Sequence, residues 1–113
     1  MNQPLLTITT LTQNGALRIV AEGELDLSTG ASLDDALVAA HASPASTIVL
    51  DIEAVGFIDS SGLRVLIEAC TRSQQNGNRL RITKGPENAR RLFALTGADV
   101  CLPFVDSQPD GGS

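Results

Sequence analysis

The sequence predicts an α/β domain: a mixed β-sheet that opens with an antiparallel hairpin, continues as alternating strands and helices, and has the helices packed on it. Three observations carry this prediction. Asn14-Gly15 lies between two runs of strand-forming residues, and both residue types accept the positive φ that a two-residue hairpin turn demands. Ile48-Val49-Leu50 is an unbroken apolar run of strand length, as in a central strand covered on both faces. Leu63, Leu66, Ile67 and Cys70 recur at the i, i+3, i+4, i+7 spacing of an amphipathic helix.

Taken in order, Leu5 to Leu11 mixes Leu, Ile and Thr and reads as a first strand at a sheet edge. After the Asn14-Gly15 turn, Leu17 to Glu22 is the return strand, with Leu17, Ile19 and Ala21 on one face; Gly23-Glu24-Leu25-Asp26 leaves it. Ser28 is the candidate N-cap of a helix to about Ala40, whose apolar face is Leu33, Leu37 and Ala40. Gly30 should soften its first turn. Ser43-Pro44 breaks the pattern, and Thr47 to Asp51 is the next strand. The helix after Ser61 stops at Asn76-Gly77. Arg79 to Lys84 alternates as a strand with Leu80 and Ile82 together. Pro86 suits the first turn of another helix, with Leu92, Phe93 and Leu95 buried and Gly97 as its stop. Val100 to Val105 is a last short strand. One domain is expected over 1–106, with a disordered polar tail over 107–113. Right-handed crossovers would set the turn between Leu50 and Leu63 at the carboxyl edge of the sheet, where α/β proteins meet their ligands and partners.

Charge narrows the function classes. The formal net charge is −5. Up to Leu63 the chain has Arg18 as its only basic residue, against Glu22, Glu24, Asp26, Asp34, Asp35, Asp51, Glu53 and Asp59. An acidic half argues against a phosphate-backbone partner and fits a protein with a basic patch. Phe57, Phe93 and Phe104 are the only aromatic residues, too few to stack nucleic-acid bases, so no nucleic acid is expected. Cys70 and Cys101 lack metal or disulfide spacing, and Cys70 reads as a buried free thiol. Neither a signal peptide nor a membrane-length apolar run is visible, and the chain reads as cytoplasmic.

Enzyme chemistry finds no foothold. The serines sit in I-D-S-S-G-L rather than G-x-S-x-G, and the sole histidine, His41, reads as a surface residue. No metal, calcium, P-loop or dinucleotide motif occurs, so neither metal nor cofactor is expected. What stands out is Asp59-Ser60-Ser61-Gly62 at a helix start. Asp or Ser would serve as a plain N-cap. Capping needs only one oxygen, however, and glycine in a first helical turn costs about 0.5–1 kcal/mol against alanine, so a small residue there implies close approach of another backbone. Hydroxyls at a helix N-terminus suit a phosphorylation switch better than catalysis, since a phosphate adds about −1.5 to −2 charge.

Gly23-Glu24-Leu25-Asp26-Leu27-Ser28-Thr29 and Phe57-Ile58-Asp59-Ser60-Ser61-Gly62-Leu63-Arg64-Val65-Leu66 resemble the two signature regions of the STAS domain family, most closely its free-standing bacterial members, the anti-sigma factor antagonists. Arg91 to Gly97 resembles a weaker third feature, and the likeness runs from about Leu5 to Asp106. The resemblance implies a STAS-like mixed sheet with helices on one side. It also implies partner switching: the unmodified protein binds an anti-sigma factor with serine kinase activity, phosphorylation releases it, and a serine phosphatase resets it. The acceptor is the hydroxyl residue before the motif glycine, here Ser61, with Ser60 as second candidate. The partner-facing edge would hold Asp26, Ser28, Thr29, Asp59, Ser60, Ser61, Gly62, Leu63 and Arg64. Relatives often end in a further helix, which the residues after Asp106 do not suggest.

Three other readings compete. Some small STAS proteins are non-phosphorylated subunits of membrane lipid-transport complexes, where they bind an ATPase. Acyl carriers are small, acidic and bear Asp-Ser at a helix start, but they are helical bundles, and the hairpin and apolar strand argue for a sheet. A receiver domain phosphorylated at Asp51 would need an acidic pair after its first strand, and Leu11-Thr12-Gln13-Asn14 has none.

Overall fold

The computed structural model describes residues 5–106. Five strands, β1 (Leu6–Gln13), β2 (Ala16–Leu25), β3 (Thr47–Ile58), β4 (Leu80–Thr83) and β5 (Phe104–Val105), lie side by side in that order. β1 is antiparallel to β2, and all later pairs are parallel. Helices α1 (Gly30–His41), α2 (Ser60–Gln74), α3 (Glu87–Thr96) and α4 (Ala98–Cys101) cover one face. This is the mixed sheet expected. The tail expected over 107–113 falls outside the described residues.

Local chemistry sets the turns. Asn14 and Gly15 have φ of 53° and 80°, both positive as the tight hairpin requires. Asn76 Nδ2 donates to the Arg72 carbonyl at 2.8 Å and closes the end of α2. Gly97, at φ 81°, ends α3, and a second short helix starts at once.

The core lies between the sheet and the helices. Ile19 and Ala21 of β2, Ile48, Leu50 and Ile52 of β3, and Leu80 and Ile82 of β4 meet Leu33 and Leu37 of α1, Leu66 and Ala69 of α2 and Phe93 of α3. Each buried Leu or Ile contributes about 1.5–3 kcal/mol of transfer free energy. Cys70 is buried and free, and burial pushes its thiol up to about 11, so it stays protonated at neutral pH.

Several boundaries differ from expectation. β3 is central but covered on one face only; its other face carries Asp51, paired with Arg18 at 2.8 Å. β2 and β3 also run on past their expected ends, to Leu25 and Ile58, because two register shifts let them stay paired through Gly23 and Glu24. Val100 to Val105 is divided between α4 and β5, leaving Val100 exposed. Pro86 is the N-cap of α3 rather than part of its first turn. Ile67 and Leu95, expected inside, face solvent: Leu66 and Phe93, one position before Ile67 and two before Leu95, take the buried stripe. His41 is half-buried rather than on the surface, with Nδ1 2.9 Å from the Leu37 carbonyl oxygen.

Arg79 secures the entry to β4 without a carboxylate. Its guanidinium donates to the carbonyls of His41 at 2.5 Å, Ser43 at 2.9 Å and Ala45 at 2.7 Å, which holds the whole α1–β3 connection. Removing it would strand several carbonyl oxygens. Arg79→Ala should lower unfolding stability by about 2–3 kcal/mol in urea titrations, with Arg79→Lys intermediate because an ammonium lacks the planar fork.

Candidate functional site

The carboxyl ends of β2 and β3 converge at one edge of the sheet. Leu25 and Ile58 are paired in register, and the Asp59 amide donates to the Leu25 carbonyl at 3.2 Å. Asp59 then caps α2: its Oδ1 accepts from the Gly62 amide at 3.0 Å. The capping oxygen is therefore the aspartate's, and the Ser60 and Ser61 hydroxyls make no hydrogen bond among the described residues. α2 starts at Ser60, two residues earlier than expected, so both serines stand in its first turn.

Gly62 explains the close fit. A Cβ there would lie 2.5 Å from the Leu25 carbonyl oxygen and 2.8 Å from Leu25 Cγ. The small residue lets the first turn of α2 press against the end of β2, as the sequence suggested. Gly23 has a similar role further back: at φ 121°, a Cβ would meet the Leu5 carbonyl oxygen at 2.1 Å, while the neighbouring Glu24 amide donates to that oxygen at 2.7 Å.

The loop into α1 is knotted around Asp26. Its Oδ1 accepts from the Ser28 hydroxyl at 2.7 Å and from the Ser28 and Thr29 amides at 2.9 and 3.2 Å. Thr29 Oγ1 accepts from the Asp26 amide at 2.9 Å and donates to the Glu24 carbonyl at 2.8 Å. Thr29, not Ser28, is the N-cap residue of α1, and its hydroxyl turns back to the loop instead of capping the helix. The Ser28 hydroxyl first, then the two amides and the Thr29 hydroxyl, hold the Asp26 carboxyl below its ordinary value, with desolvation opposing. This knot was missed from sequence; the spacing of Asp26, Ser28 and Thr29, an Asx-type turn pattern, was its signal.

Between the starts of α1 and α2 lies an open groove of about 440 Å³, bordered by Asp26, Leu27, Asp34, Ser60, Ser61 and Arg64 among others. The structure thus brings Asp26, Ser60, Ser61 and Arg64 together and sets Ser28 and Asp59 beside them. Thr29, Gly62 and Leu63 are buried and shape the edge from within. Two residues outside the expected set are prominent: Leu27, on the loop into α1 and at the groove, is 83% exposed, and Phe57, the penultimate residue of β3, is 48% exposed. His41, at the far end of α1 and so about 18 Å from the helix start, is out of reach of the serines. No group of metal-ligating side chains occurs among the described residues, and no described helix is long and apolar enough to cross a membrane.

The bulged strand pair ends at an aspartate-capped helix with two serines in its first turn, and comparison with known proteins gives the class of this arrangement. The family model described as "Mlab, STAS domain" matches residues 8–105, and the chain belongs to the STAS domain family. The anti-sigma-B factor antagonist of Staphylococcus aureus is 30% identical over 92 residues, covering 81% of this chain and 85% of its own. The anti-sigma-F factor antagonist RsfB of Mycobacterium tuberculosis is 31% identical over 94 residues, covering 83% and 76%. The crystal structure of an anti-sigma factor antagonist from Mycobacterium paratuberculosis superimposes with a TM-score of 0.79 at 27% identity, over 94% of this chain and 89% of that one. Unphosphorylated SpoIIAA shares the fold, with a TM-score of 0.76 at 18% identity over 94% and 92% of the two chains.

Two outcomes follow from the geometry. Gly62→Ala should destabilise the domain by about 1–3 kcal/mol in chemical denaturation, because the backbone carbonyl of Leu25 must retreat. The Asp26 carboxyl should titrate below 3.8 by NMR, and Ser28→Ala should raise its midpoint. Because its folded value is lowered, its stabilising effect is present above the unfolded value and disappears as pH falls through the folded one.

Proposed function

We propose that this chain is an anti-sigma factor antagonist: a non-enzymatic, cytoplasmic protein that binds an anti-sigma factor with serine kinase activity and is released by phosphorylation of Ser61. A serine phosphatase restores the binding form. The observation that carries the reading is the division of labour at α2. Asp59 supplies the cap, so the serine hydroxyls are not needed to hold the helix and stand at the groove ready for a partner. The names of the relatives from Staphylococcus aureus and Mycobacterium tuberculosis support the same reading.

The electrostatics give the direction of the switch. Ser61 shares its groove with Asp26, Asp34 and Glu68, while Arg64 is the cation among the groove residues. A phosphate there would bring a dianion against carboxylates at an interface shaped for a neutral hydroxyl, where like charges cost several kcal/mol. The α2 dipole returns about 0.3–1 kcal/mol at an exposed site, so repulsion wins. Ser61 is preferred over Ser60 because the resemblance to the family implies an acceptor directly before the motif glycine, here Gly62.

Wild type, Ser61→Ala and Ser61→Glu, immobilised in parallel in host lysate, test this. A kinase-like protein should be held by wild type and Ser61→Ala and lost on Ser61→Glu, with affinity falling at least about tenfold, equivalent to 1.4 kcal/mol, and an unchanged far-UV spectrum. Equal retention of a transporter ATPase by all three would contradict the proposal and move the chain to the lipid-transport branch of the family.

A further inference from the structure

The two edges of the sheet are protected unequally. β5 is only two residues long, which blunts its edge. β1 is eight residues long and fully extended, and the first charged residue of the chain is Arg18, on β2. Among the described residues no strand pairs with the outer side of β1. Sheet proteins guard such edges with lysine, proline or a bulge. Within Leu6–Gln13 there is no charge, no proline and no break in register with β2.

The phase of β1 is fixed by two facts. Leu6 is opposite Gly23, and the Glu24 amide donates to the Leu5 carbonyl. Leu5, Thr7, Thr9 and Leu11 therefore point their backbone groups toward β2, while Leu6, Ile8, Thr10 and Thr12 direct theirs outward, unpaired. Their side chains alternate likewise. Thr7, Thr9 and Leu11 share a face with Glu22, Val20 and Arg18, on the side without helices, and Ile8 and Thr10 share one with the buried Ala21 and Ile19. Leu5 and Leu11 are each 52% exposed.

We propose that β1 pairs with β1 of a second copy, antiparallel and centred on Ile8, to form a continuous ten-stranded sheet. Ile8 then faces its own copy and Leu6 faces Thr10, so the outward backbone groups of these residues satisfy one another. The same register sets Leu5 of each copy opposite Leu11 of the other, in the close, non-hydrogen-bonded pairs where side chains meet. Self-pairing is favoured as occupant because one strand supplies both leucines in the symmetric spacing and brings no like charges together. The two-fold axis is perpendicular to the sheet, so all helices stay on one side. The serine groove lies at the Leu5 end of β1, so the two grooves sit at opposite ends of the paired edge and remain open. The assembly closes at two copies, since β5 offers no comparable edge.

Sedimentation equilibrium over a concentration series tests the proposal. The weight-average mass should rise from 11.8 kDa toward twice that value, with a dissociation constant between about 10 μM and 1 mM, as befits a small interface. Thr10→Pro removes one outward amide without touching the β2 ladder, and Leu11→Glu puts a carboxylate against the partner's Leu5 position. Each should weaken the dimer at least about tenfold. Val38→Glu, an equal charge change on an exposed residue of α1, should leave it unchanged. Monomer throughout to about 1 mM, association indifferent to both strand variants, or growth beyond two copies would overturn the proposal.

Discussion

The first turn of α2 rests directly on the last residue of β2, and the site depends on that contact. Gly62 has no side chain to hold the two backbones apart, and a Cβ would sit 2.5 Å from the Leu25 carbonyl oxygen. The same carbonyl accepts the Asp59 amide. One short contact therefore fixes the start of α2, the position of its capping carboxylate and the direction in which both serines project. The bulges that carry β2 and β3 to Leu25 and Ile58 exist to bring those two ends level.

A site built this way is rigid in its frame and variable in its charge. The Asp26 knot, the Asp59 cap and the buried Thr29 and Leu63 hold the backbone, and none of them uses the hydroxyl of Ser60 or Ser61. A charge added at Ser61 would thus alter what the edge repels or attracts while leaving the fold in place. Leu27, apolar and exposed at the groove, would supply contact area that a charged rim alone lacks.

The parts of the fold readable in the sequence were those decided by short-range chemistry. Asn14-Gly15 made the hairpin, the spacing of Leu33, Leu37 and Ala40 marked the inner face of α1, and Gly62 announced a close backbone approach. The parts that were not readable depend on pairing across the sheet. β3 seemed to stop at Asp51 because its apolar run stops there, yet Ile52, Val55 and Ile58 continue into the core through a bulge whose register only β2 dictates. Asp51 itself faces the open side, where Arg18 balances it, so an apolar run did not mean two covered faces. Ile67 and Leu95 are apolar but flank the buried stripes, and periodicity alone cannot tell the edge of a stripe from its middle. Ser28 looked like the cap because serine caps helices well; the cluster around Asp26 used it first.

The proposed switch rests on Ser61 as the residue that is modified. Its most direct test is site mapping: the purified protein is incubated with ATP and the kinase-like protein that it retains, then analysed by tandem mass spectrometry. A single phosphate on Ser61, appearing in step with loss of the complex, is the predicted result. Phosphate confined to Ser60, or a complex that dissociates with Ser61 unmodified, would contradict it.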